Sequence, residues 1–435
     1  MIAMPAINDP AVIARGPFQK NVNWQPRVVG VVLLLLLVFT TVTVFVQDAW
    51  PAGVFQIGVY TLTAIYLLWG IRRGREHLAG GWAPWIVYGI PVWGVIQLLA
   101  HTTASTVETR EAVLRWSALA AIFFLTQVAA QTHQAREALL LFFLCFAAVM
   151  AILCLLQIFT SGGRVLWIFP SGYDYVCATF AYRNNYAQFI EISLPIALWR
   201  ALRQGWRGWG YALTGGLLYA SVIGTASRSG TIVCTAELLV MLAIGLIRRD
   251  RLREGLTFRS TVAIFVLIPI FATICTCAVG WQEVWLRFQN QDLYEGRVEF
   301  SLAALDMAKH QPLTGYGLGT FSEVYQQHAL MDLPVIVNHA HDDWAEFAAD
   351  GGIPFFLLIF IPFAAAVPAA FRHPWGLGLV GVMLHGFCDY PFPRPAVSGW
   401  LFAMLALLYM AQTPGSRGTD DDLSRSRSRV LPFKH

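Results

Sequence analysis

A short polar stretch stands out in a chain that is otherwise rich in apolar residues. It runs from Asn338 to Gly352. Its titratable residues are His339, His341, Asp342, Asp343, Glu346 and Asp350. A histidine near its usual pKa of about 6.5 can act as a general base toward an attacking hydroxyl group. Imidazole and carboxylate groups are also ordinary ligands of divalent metals. The stretch therefore suggests either general-base chemistry or a metal site.

Helical spacing favours the base over the metal site. His341, Trp344 and Ala348 would share one helix face, so we expect a helix that begins at His341. Adjacent side chains on one helix do not converge easily on a single ion, which disfavours the metal site. Both His341 and His339 remain candidates for the base. Asp342 and Asp343 suit a helix N-terminus, and alternatively they could orient a histidine or bind substrate.

The composition places these residues in a membrane protein. Hydrophobic residues make up 57% of the 435 residues and charged residues only 13%, against about 25% charged residues in soluble domains. Apolar runs of about 20 residues recur, and each is long enough to cross the hydrocarbon core as a helix. We therefore expect an all-α polytopic membrane protein with about twelve transmembrane helices. The expected spans are 28–46, 53–70, 82–100, 113–130, 138–159, 186–199, 209–226, 231–247, 261–280, 352–371, 376–388 and 396–412.

The distribution of Lys and Arg predicts the orientation of the chain. By the positive-inside rule, the side that is richer in these residues faces the cytoplasm. If the membrane is a bacterial inner membrane, both termini then lie in the cytoplasm, and the long polar loop 281–351, which contains helices, lies in the periplasm. We divide the chain into a cytoplasmic segment 1–27, a helical bundle 28–413 and a disordered cytoplasmic tail 414–435. The basic residues lie in short loops, so no nucleic-acid partner is expected.

Three outer-side arginines lie where helices are expected to begin. Arg183 opens a span, Arg228 lies at a tight turn between two spans, and Arg297 begins a helix of the large loop. That last helix is predicted from the spacing of Val298, Leu302 and Leu305, and it is expected to lie against the membrane or the bundle. Guanidinium groups bind phosphates through paired hydrogen bonds. The three arginines could therefore converge on a diphosphate.

Other polar residues are interpreted as structural. The alternating glycines of 312–321 predict a turn, because no lysine and Ser/Thr pair completes a phosphate-binding loop. Glu191 and Glu237 lie within expected spans, where a charge costs about 2.5–3.5 kcal/mol. We expect them to pair with an arginine such as Arg228. The residues interpreted mainly as helix-end groups are His385, Asp389 and Arg394.

Several of these motifs together carry a family resemblance. They are Arg183-Asn184-Asn185-Tyr186-Ala187, Ser227-Arg228-Ser229-Gly230, Glu295-Gly296-Arg297, Pro312 to Phe321, and His341-Asp342 followed by Gly352. In this order the set resembles the O-antigen ligase superfamily, which also includes O-antigen polymerases and protein O-oligosaccharyltransferases. The resemblance spans roughly residues 175–400. The chain departs from the family pattern at Asp342, where the family usually has Asn, Ser or Gln, and at Phe355.

The resemblance implies a glycosyltransferase in the bacterial inner membrane with a periplasmic active site. An O-antigen ligase would move a preassembled glycan from undecaprenyl diphosphate to the lipid A core oligosaccharide, with inversion and without cofactor or metal. The catalytic candidates are His341 and His339. The candidates for binding diphosphate or substrate are Arg228, Arg297, Arg183, Asn185, Asp342 and Asp343.

Two alternatives remain open from the sequence. An O-antigen polymerase would use the same donor with a second lipid-linked glycan as acceptor, and the single large outer loop favours the ligase only slightly. A flippase or transporter would also have many spans, but it would predict internal repeats and charges near mid-bilayer. No repeat is visible in this sequence.

Overall fold

Apolar helices dominate the fold, as the sequence predicts. The computed structural model describes residues 24–70, 78, 80–171, 176–248, 258–279, 282, 285–286, 294–329 and 337–413. The predicted tail 414–435 lies outside the described residues, and so does the N-terminal segment 1–27 apart from its last four residues. A two-stranded antiparallel sheet pairs β1, Arg164–Val165, with β2, Phe169–Pro170.

Every expected span overlaps at least one helix. The α-helices are α1 Trp24–Val42, α2 Trp50–Gly70, α3 Ala83–Ile86, α4 Gly89–Leu99, α5 Thr106–Ala129, α6 His133–Thr160, α7 Arg183–Gln204, α8 Trp209–Gly224, α9 Arg228–Ile247, α10 Phe258–Val279, α11 Tyr294–His310, α12 Phe321–His328, α13 Asp343–Arg372, α14 Leu377–His385 and α15 Pro395–Ala411. Short 3-10 helices, Gly205–Gly208 and Pro374–Gly376, lead into α8 and α14.

Seven of the described helices are long and apolar enough to cross a membrane. They are α1, α2, α5, α6, α9, α13 and α15, and shorter apolar helices lie at 83–99, 261–277 and 374–385. The chain is therefore an all-α membrane protein. The number of twelve spans and the periplasmic position of the 281–351 loop stay predictions, because length and composition alone do not fix them.

Helix α7 lies at the centre of the bundle. Its side chains are buried without interruption from Asn184 to Leu198, and a helix that is buried all round belongs to a protein interior. It packs against α6, α8, α9, α14 and α15. Polar residues such as Asn184 and Glu191 lower its hydropathy, yet they face other helices rather than lipid. The centre of the bundle can therefore position polar groups.

Aromatic side chains fix the neighbours of α7. Trp400 of α15 stacks on Phe143 of α6, with ring centroids 4.3 Å apart. Phe189 of α7 meets the same Phe143 edge-on at 5.5 Å. Within a bilayer, helices associate mainly by close van der Waals packing, because lipid tails are as apolar as the side chains. These contacts hold α6, α7 and α15 in one register.

A glycine break divides α13 into two parts. Gly352 has φ 69° and ψ −178°, a conformation that is essentially restricted to glycine. The 312–321 segment packs against this break, and Ile353 N donates to Pro312 O at 2.8 Å. Gly319 N donates to Asp350 Oδ2 at 2.7 Å. The prediction of a structural turn at 312–321 is therefore confirmed.

A second, smaller core joins α11, α12 and the first part of α13. It contains Ala303, Ala304 and Met307 of α11, Phe321, Val324 and Tyr325 of α12, and Ala345 and Ala349 of α13. The helix predicted after Arg297 is confirmed as α11. Val298, Leu302 and Leu305 form an exposed apolar stripe on it, as expected for a helix that lies against a membrane.

We expect Gly352→Ala to destabilise the protein strongly. A Cβ atom at this position would lie 2.7 Å from the Leu313 carbonyl carbon, and alanine does not adopt the required backbone conformation without strain. The cost should be about 2–5 kcal/mol, measured as a lower thermal unfolding midpoint in detergent. Gly53→Ala is the matched control, because no atom lies within 4 Å of its Cβ position and alanine favours a helix. Equal midpoints for the two variants would contradict the steric argument.

Candidate active site

His341 lies outside helix α13, which corrects the expectation that the helix begins there. Asp342 is the N-cap residue, and its side chain accepts a hydrogen bond from Ala345 N at 3.1 Å. His341 has φ 53°, a left-handed conformation that is uncommon for residues other than glycine. Because Asp342 caps the N-terminus and the helix begins at Asp343, His341 precedes the helix and its ring does not lie on a helix face.

His341 forms a pair with a buried carboxylate. Its Nδ1 lies 3.3 Å from Asp389 Oδ1, and Asp389 is 0% exposed while His341 is 21% exposed. A carboxylate at Nδ1 favours the tautomer in which Nε2 can accept a proton, and it stabilises the imidazolium that forms. Asp389 was interpreted from the sequence mainly as a helix-end residue. The structure instead makes it the partner of His341.

Asp389 is held by the ends of two helices of the bundle. Asn184, in the first turn of α7, donates from Nδ2 to Asp389 Oδ2. The Asn184 Oδ1 atom in turn accepts from Ser227 Oγ at 2.8 Å, and Ser227 is the N-cap of α9. Tyr390 N donates to Asp389 Oδ1 at 3.0 Å. Hydrogen bonds from α7 and from the loop after α14 therefore orient the carboxylate. The N-cap residue of α9 in turn orients Asn184.

The charge of Asp389 is kept in the folded protein. Burial alone would raise the pKa of this carboxyl, but the hydrogen bond with His341 and the positive charges of His385 and Arg297 outweigh burial. The pKa of Asp389 is therefore held below its ordinary value. An ionised carboxylate stabilises a protonated His341 more than a neutral carboxyl would.

His339 has a carboxylate partner of its own. Its Nδ1 lies 3.0 Å from Glu346 Oε1, while Glu346 Oε2 accepts from Ala340 N at 2.8 Å. The His339 ring stacks on Tyr390 at 4.5 Å, and His341 meets the same Tyr390 ring edge-on at 4.8 Å. The two histidines thus flank one tyrosine. Each histidine therefore has a carboxylate at Nδ1, so their hydrogen bonds do not decide which of them is the base.

The structure brings the three predicted arginines into one region. Arg297 Nη2 donates to Tyr182 OH at 2.7 Å, and Tyr182 directly precedes Arg183. The positive charges of Arg297 and Arg228 both act on Arg183. All three side chains are half-buried. Like charges gathered in this way favour the binding of an anion between them.

The arginine region adjoins His341 rather than lying apart from it. The Tyr182 ring lies 6.4 Å from the His341 ring and stacks on Tyr390 at 5.6 Å. Arg297 Nη1 donates to Cys388 O at 3.4 Å, next to Asp389 in the chain. The histidines predicted to act as a base and the arginines predicted to bind diphosphate therefore lie in one region.

The other candidate residues lie at the site but support its loops. Asn185 Nδ2 donates to Gln188 Oε1 at 2.9 Å and to Tyr390 O at 3.5 Å. Asp343 is buried, and its Oδ2 accepts from Phe392 N at 3.0 Å. Asp343 N donates to Gly386 O at 2.9 Å. The contacts of Asn185 and Asp343 position the loop that carries Asp389, whereas the side chain of Asp342 caps α13.

The expected pairing of Glu191 with an arginine is wrong. Glu191 Oε1 lies 2.7 Å from Nδ1 of His385, and both side chains are 0% exposed. Glu191 lies two turns into α7, where α14 packs against it, whereas Arg228 lies at the first residue of α9. Glu237 lies on α9 beside Gly381 of α14. Neither carboxylate oxygen of Glu237 has a hydrogen-bond partner among the described residues, so the expected pairing of Glu237 with an arginine is wrong as well.

Sequence reasoning missed several residues of the site. They are Tyr182, Asn184, Tyr390 and Glu346, with Asp389 given too little weight. Asn184 stood inside a recognised motif, and Asp389-Tyr390 preceded the prolines of a helix break. Their positions in a motif or next to a helix break were the sequence features that could have indicated Asn184, Asp389 and Tyr390 as site residues. Nothing in the sequence pairs Asp389 with His341.

Replacement of Asp389 by asparagine is expected to lower the stability of the fold at neutral pH. Because the pKa of Asp389 is lower in the fold than in the unfolded chain, its ionised form stabilises the fold above the unfolded pKa of about 3.9. This contribution is lost as the pH falls through the lower folded pKa. The wild-type thermal midpoint should exceed that of Asp389→Asn at pH 7, and the gap should narrow below about pH 4.

Asp342→Asn is the matched control for that measurement. Asparagine caps a helix about as well as aspartate, and burial raises the pKa of Asp342. Loss of the Asp342 charge should therefore leave the midpoint at pH 7 unchanged or slightly higher. If both variants lost the same stability, the specific role of the Asp389 charge would be disproved.

Comparison with known proteins finds a similarity to one family over part of the chain. A sequence model of the O-antigen ligase family (Wzy_C) matches residues 212–360. Arg228, Arg297, His339 and His341 lie within this range, while Asp389 lies beyond it. Searches of curated proteins and of solved structures gave no match. Residues 212–360 of this chain are therefore similar to the O-antigen ligase family.

Proposed function

We propose that this membrane protein is an O-antigen ligase. It transfers a preassembled glycan from undecaprenyl diphosphate to the lipid A core oligosaccharide, at the periplasmic face of a bacterial inner membrane. The observation that supports this proposal most is the His341–Asp389 pair beside Arg183, Arg228 and Arg297. Such a site combines a base for the acceptor with cations for a diphosphate leaving group.

The acceptor half of the reaction uses His341. A sugar hydroxyl has a pKa far above neutral, so it needs a base as its oxygen forms the new bond. Nε2 of His341 takes the hydroxyl proton while Asp389 stabilises the imidazolium. The acceptor oxygen attacks the anomeric carbon from the face opposite the diphosphate, and the configuration is inverted. The proton later passes from His341 to solvent.

The donor half of the reaction uses the arginines. As the bond between the anomeric carbon and the diphosphate oxygen breaks, its electron pair goes to the leaving diphosphate. Guanidinium groups of Arg183, Arg228 and Arg297 stabilise that negative charge by paired hydrogen bonds. Arg228 opens α9, whose N-terminal end also favours an anion. These groups supply the neutralisation that a divalent cation supplies elsewhere, so we propose a metal-independent reaction.

Reconstitution of the purified protein with lipid-linked glycan tests the proposed acceptor. One reaction contains lipid A core oligosaccharide, and a second contains only further lipid-linked glycan. A ligase forms glycan joined to lipid A core, and it gives no lengthened lipid-linked product. Lengthening of the lipid-linked glycan would instead identify a polymerase, since the same base and arginines suit that reaction. Movement of glycan across the membrane without a new glycosidic bond would support a transporter.

We expect His341→Ala to reduce transfer by about 10²–10⁴-fold, the usual contribution of a positioned base. Asp389→Asn should also reduce the rate, because asparagine cannot stabilise the imidazolium as a carboxylate does. Initial rates of product formation measure both effects. His133→Ala is a suitable control, since His133 begins α6 and pairs with Glu137 at 3.9 Å, away from the site.

The same assay decides between the two histidines. If His339→Ala abolishes transfer while His341→Ala retains the wild-type rate, the base is His339 with Glu346 as its partner. Full activity in both variants would refute a histidine base. Donor binding, measured separately, shows whether a slow variant still holds its substrate.

Arg297→Lys is expected to lower transfer by about tenfold or more, although it keeps the charge. Lysine lacks the planar fork that can bind diphosphate and contact Tyr182 together. Arg228→Lys should have a similar effect. Arg200→Lys is the matched control, because Arg200 pairs with Glu137 at 2.7 Å outside the site. Wild-type rates for Arg297→Lys and Arg228→Lys would show that charge alone suffices.

A further inference from the structure

A second cluster of titratable residues lies on α11 and α12. Asp306 and His310 are one turn apart near the end of α11, and His328 is the last residue of α12. Along α11, Asp306 lies about 14 Å from Arg297, given a rise of 1.5 Å per residue. The cluster therefore does not belong to the site around His341. None of its three residues has a part in the proposed reaction.

The geometry of this cluster suits a divalent metal ion. Asp306 Oδ2 lies 2.7 Å from His328 Nδ1 and 3.4 Å from His310 Nδ1. One ligand atom from each residue can be chosen so that all three lie within 4.8 Å of one another. Zinc bonds of about 2.0–2.1 Å in a tetrahedral site place ligand atoms about 3.4 Å apart. His310 Nδ1 also lies 2.9 Å from the main-chain oxygen of Asp306, so rotation of this exposed ring, with small movements of the other two side chains, would complete a three-ligand set.

A neighbouring tyrosine orients one of the imidazoles. Tyr316 OH lies 3.0 Å from Nε2 of His328, so the Nδ1 atom of that ring faces Asp306. Metal-binding histidines usually have such a partner on the ring nitrogen that does not bind the metal. The backbone of Tyr316 is fixed in turn, because its N–H donates to Ala349 O at 3.0 Å. The ring of His328 is thus oriented so that Nδ1 could bind an ion.

Exposure of the cluster allows an ion to enter. The His328 side chain is 9% exposed, while those of Asp306 and His310 are 41% and 60% exposed. The buried side of the cluster is formed by protein and the other side opens to solvent. Water can therefore supply a fourth ligand. Two imidazoles and one carboxylate form a ligand set that zinc accepts.

We propose that a zinc ion cross-links α11 and α12, bound by Asp306, His310 and His328. Both helices contribute to the small core with α13, so a bound ion stabilises the part of the fold that precedes His341. The ion has a structural role and takes no part in glycan transfer. This proposal is independent of the proposed function.

Zinc titration of the purified full-length protein tests the site. The protein is prepared in detergent with a histidine-free tag, stripped with EDTA, and titrated with zinc chloride against a chelating dye. We expect one zinc ion per chain and a higher thermal midpoint in its presence. Cobalt chloride should give the visible absorption of a tetrahedral site. Absence of zinc binding by the wild-type protein would overturn the proposal.

Matched variants locate the bound ion. Asp306→Asn keeps the size of the side chain but removes the anionic ligand, and His310→Ala removes an exposed imidazole. Each should weaken zinc binding at least tenfold and abolish the zinc-dependent rise in the midpoint. Their midpoints without zinc, compared with wild type, show whether they fold. His133→Ala should bind zinc as wild type does.

A competing location is tested in the same way. A variant with both His339→Ala and His341→Ala removes the imidazoles of the active site and should keep zinc affinity. If that variant loses zinc while Asp306→Asn and His310→Ala retain it, the ion lies at the active site. The proposed site would then be rejected.

Discussion

The buried charge of Asp389 constrains the end of the bundle at which the candidate site lies. An ionised carboxylate that is withdrawn from water is costly unless charged and hydrogen-bonding partners surround it. Here the partners are His341, Asn184 and the backbone N–H of Tyr390. They come from three separate segments of the chain. The need to satisfy one carboxylate therefore fixes how these segments meet, and it fixes the orientation of the His341 ring.

Helix α13 links this charged site to the rest of the molecule. Its first part packs in the small core with α11 and α12, and its second part lies in the apolar bundle. The boundary between these two parts of α13 is Gly352, where the 312–321 turn lies close to the helix backbone. A side chain at that point would separate the turn from the helix. The glycine break therefore allows one helix to pack in both the small core and the apolar bundle.

Helix α11 has charged or titratable side chains near both of its ends. Arg297 lies in its first turn and contacts Tyr182, whereas Asp306 and His310 lie in its last turns. Between them, alanines face the small core and Val298, Leu302 and Leu305 face outward. An ion bound at the far end would reduce the motion of the helix that carries Arg297. Substrate binding and metal binding would then act on the same rigid element.

The sequence by itself determined the helices and the segments that contribute to the candidate site. Long apolar runs specify helices in a membrane because backbone groups must be hydrogen-bonded within the helix. The motifs around Arg183, Arg228, Arg297 and His341 also pointed to one family. Local patterns of this kind are set by neighbouring residues, so they can be read along the chain.

The tertiary structure alone decided the partners within the site. Asp389 lies 48 residues beyond His341, and Glu191 meets His385 across 194 residues. Only packing of α7 against α9 and α14 determines which buried charges become neighbours. Capping by Asp342 likewise excluded His341 from the helix that spacing had predicted. Pairing at such separations depends on the whole fold, because long-range packing sets both the distance between two groups and their access to water.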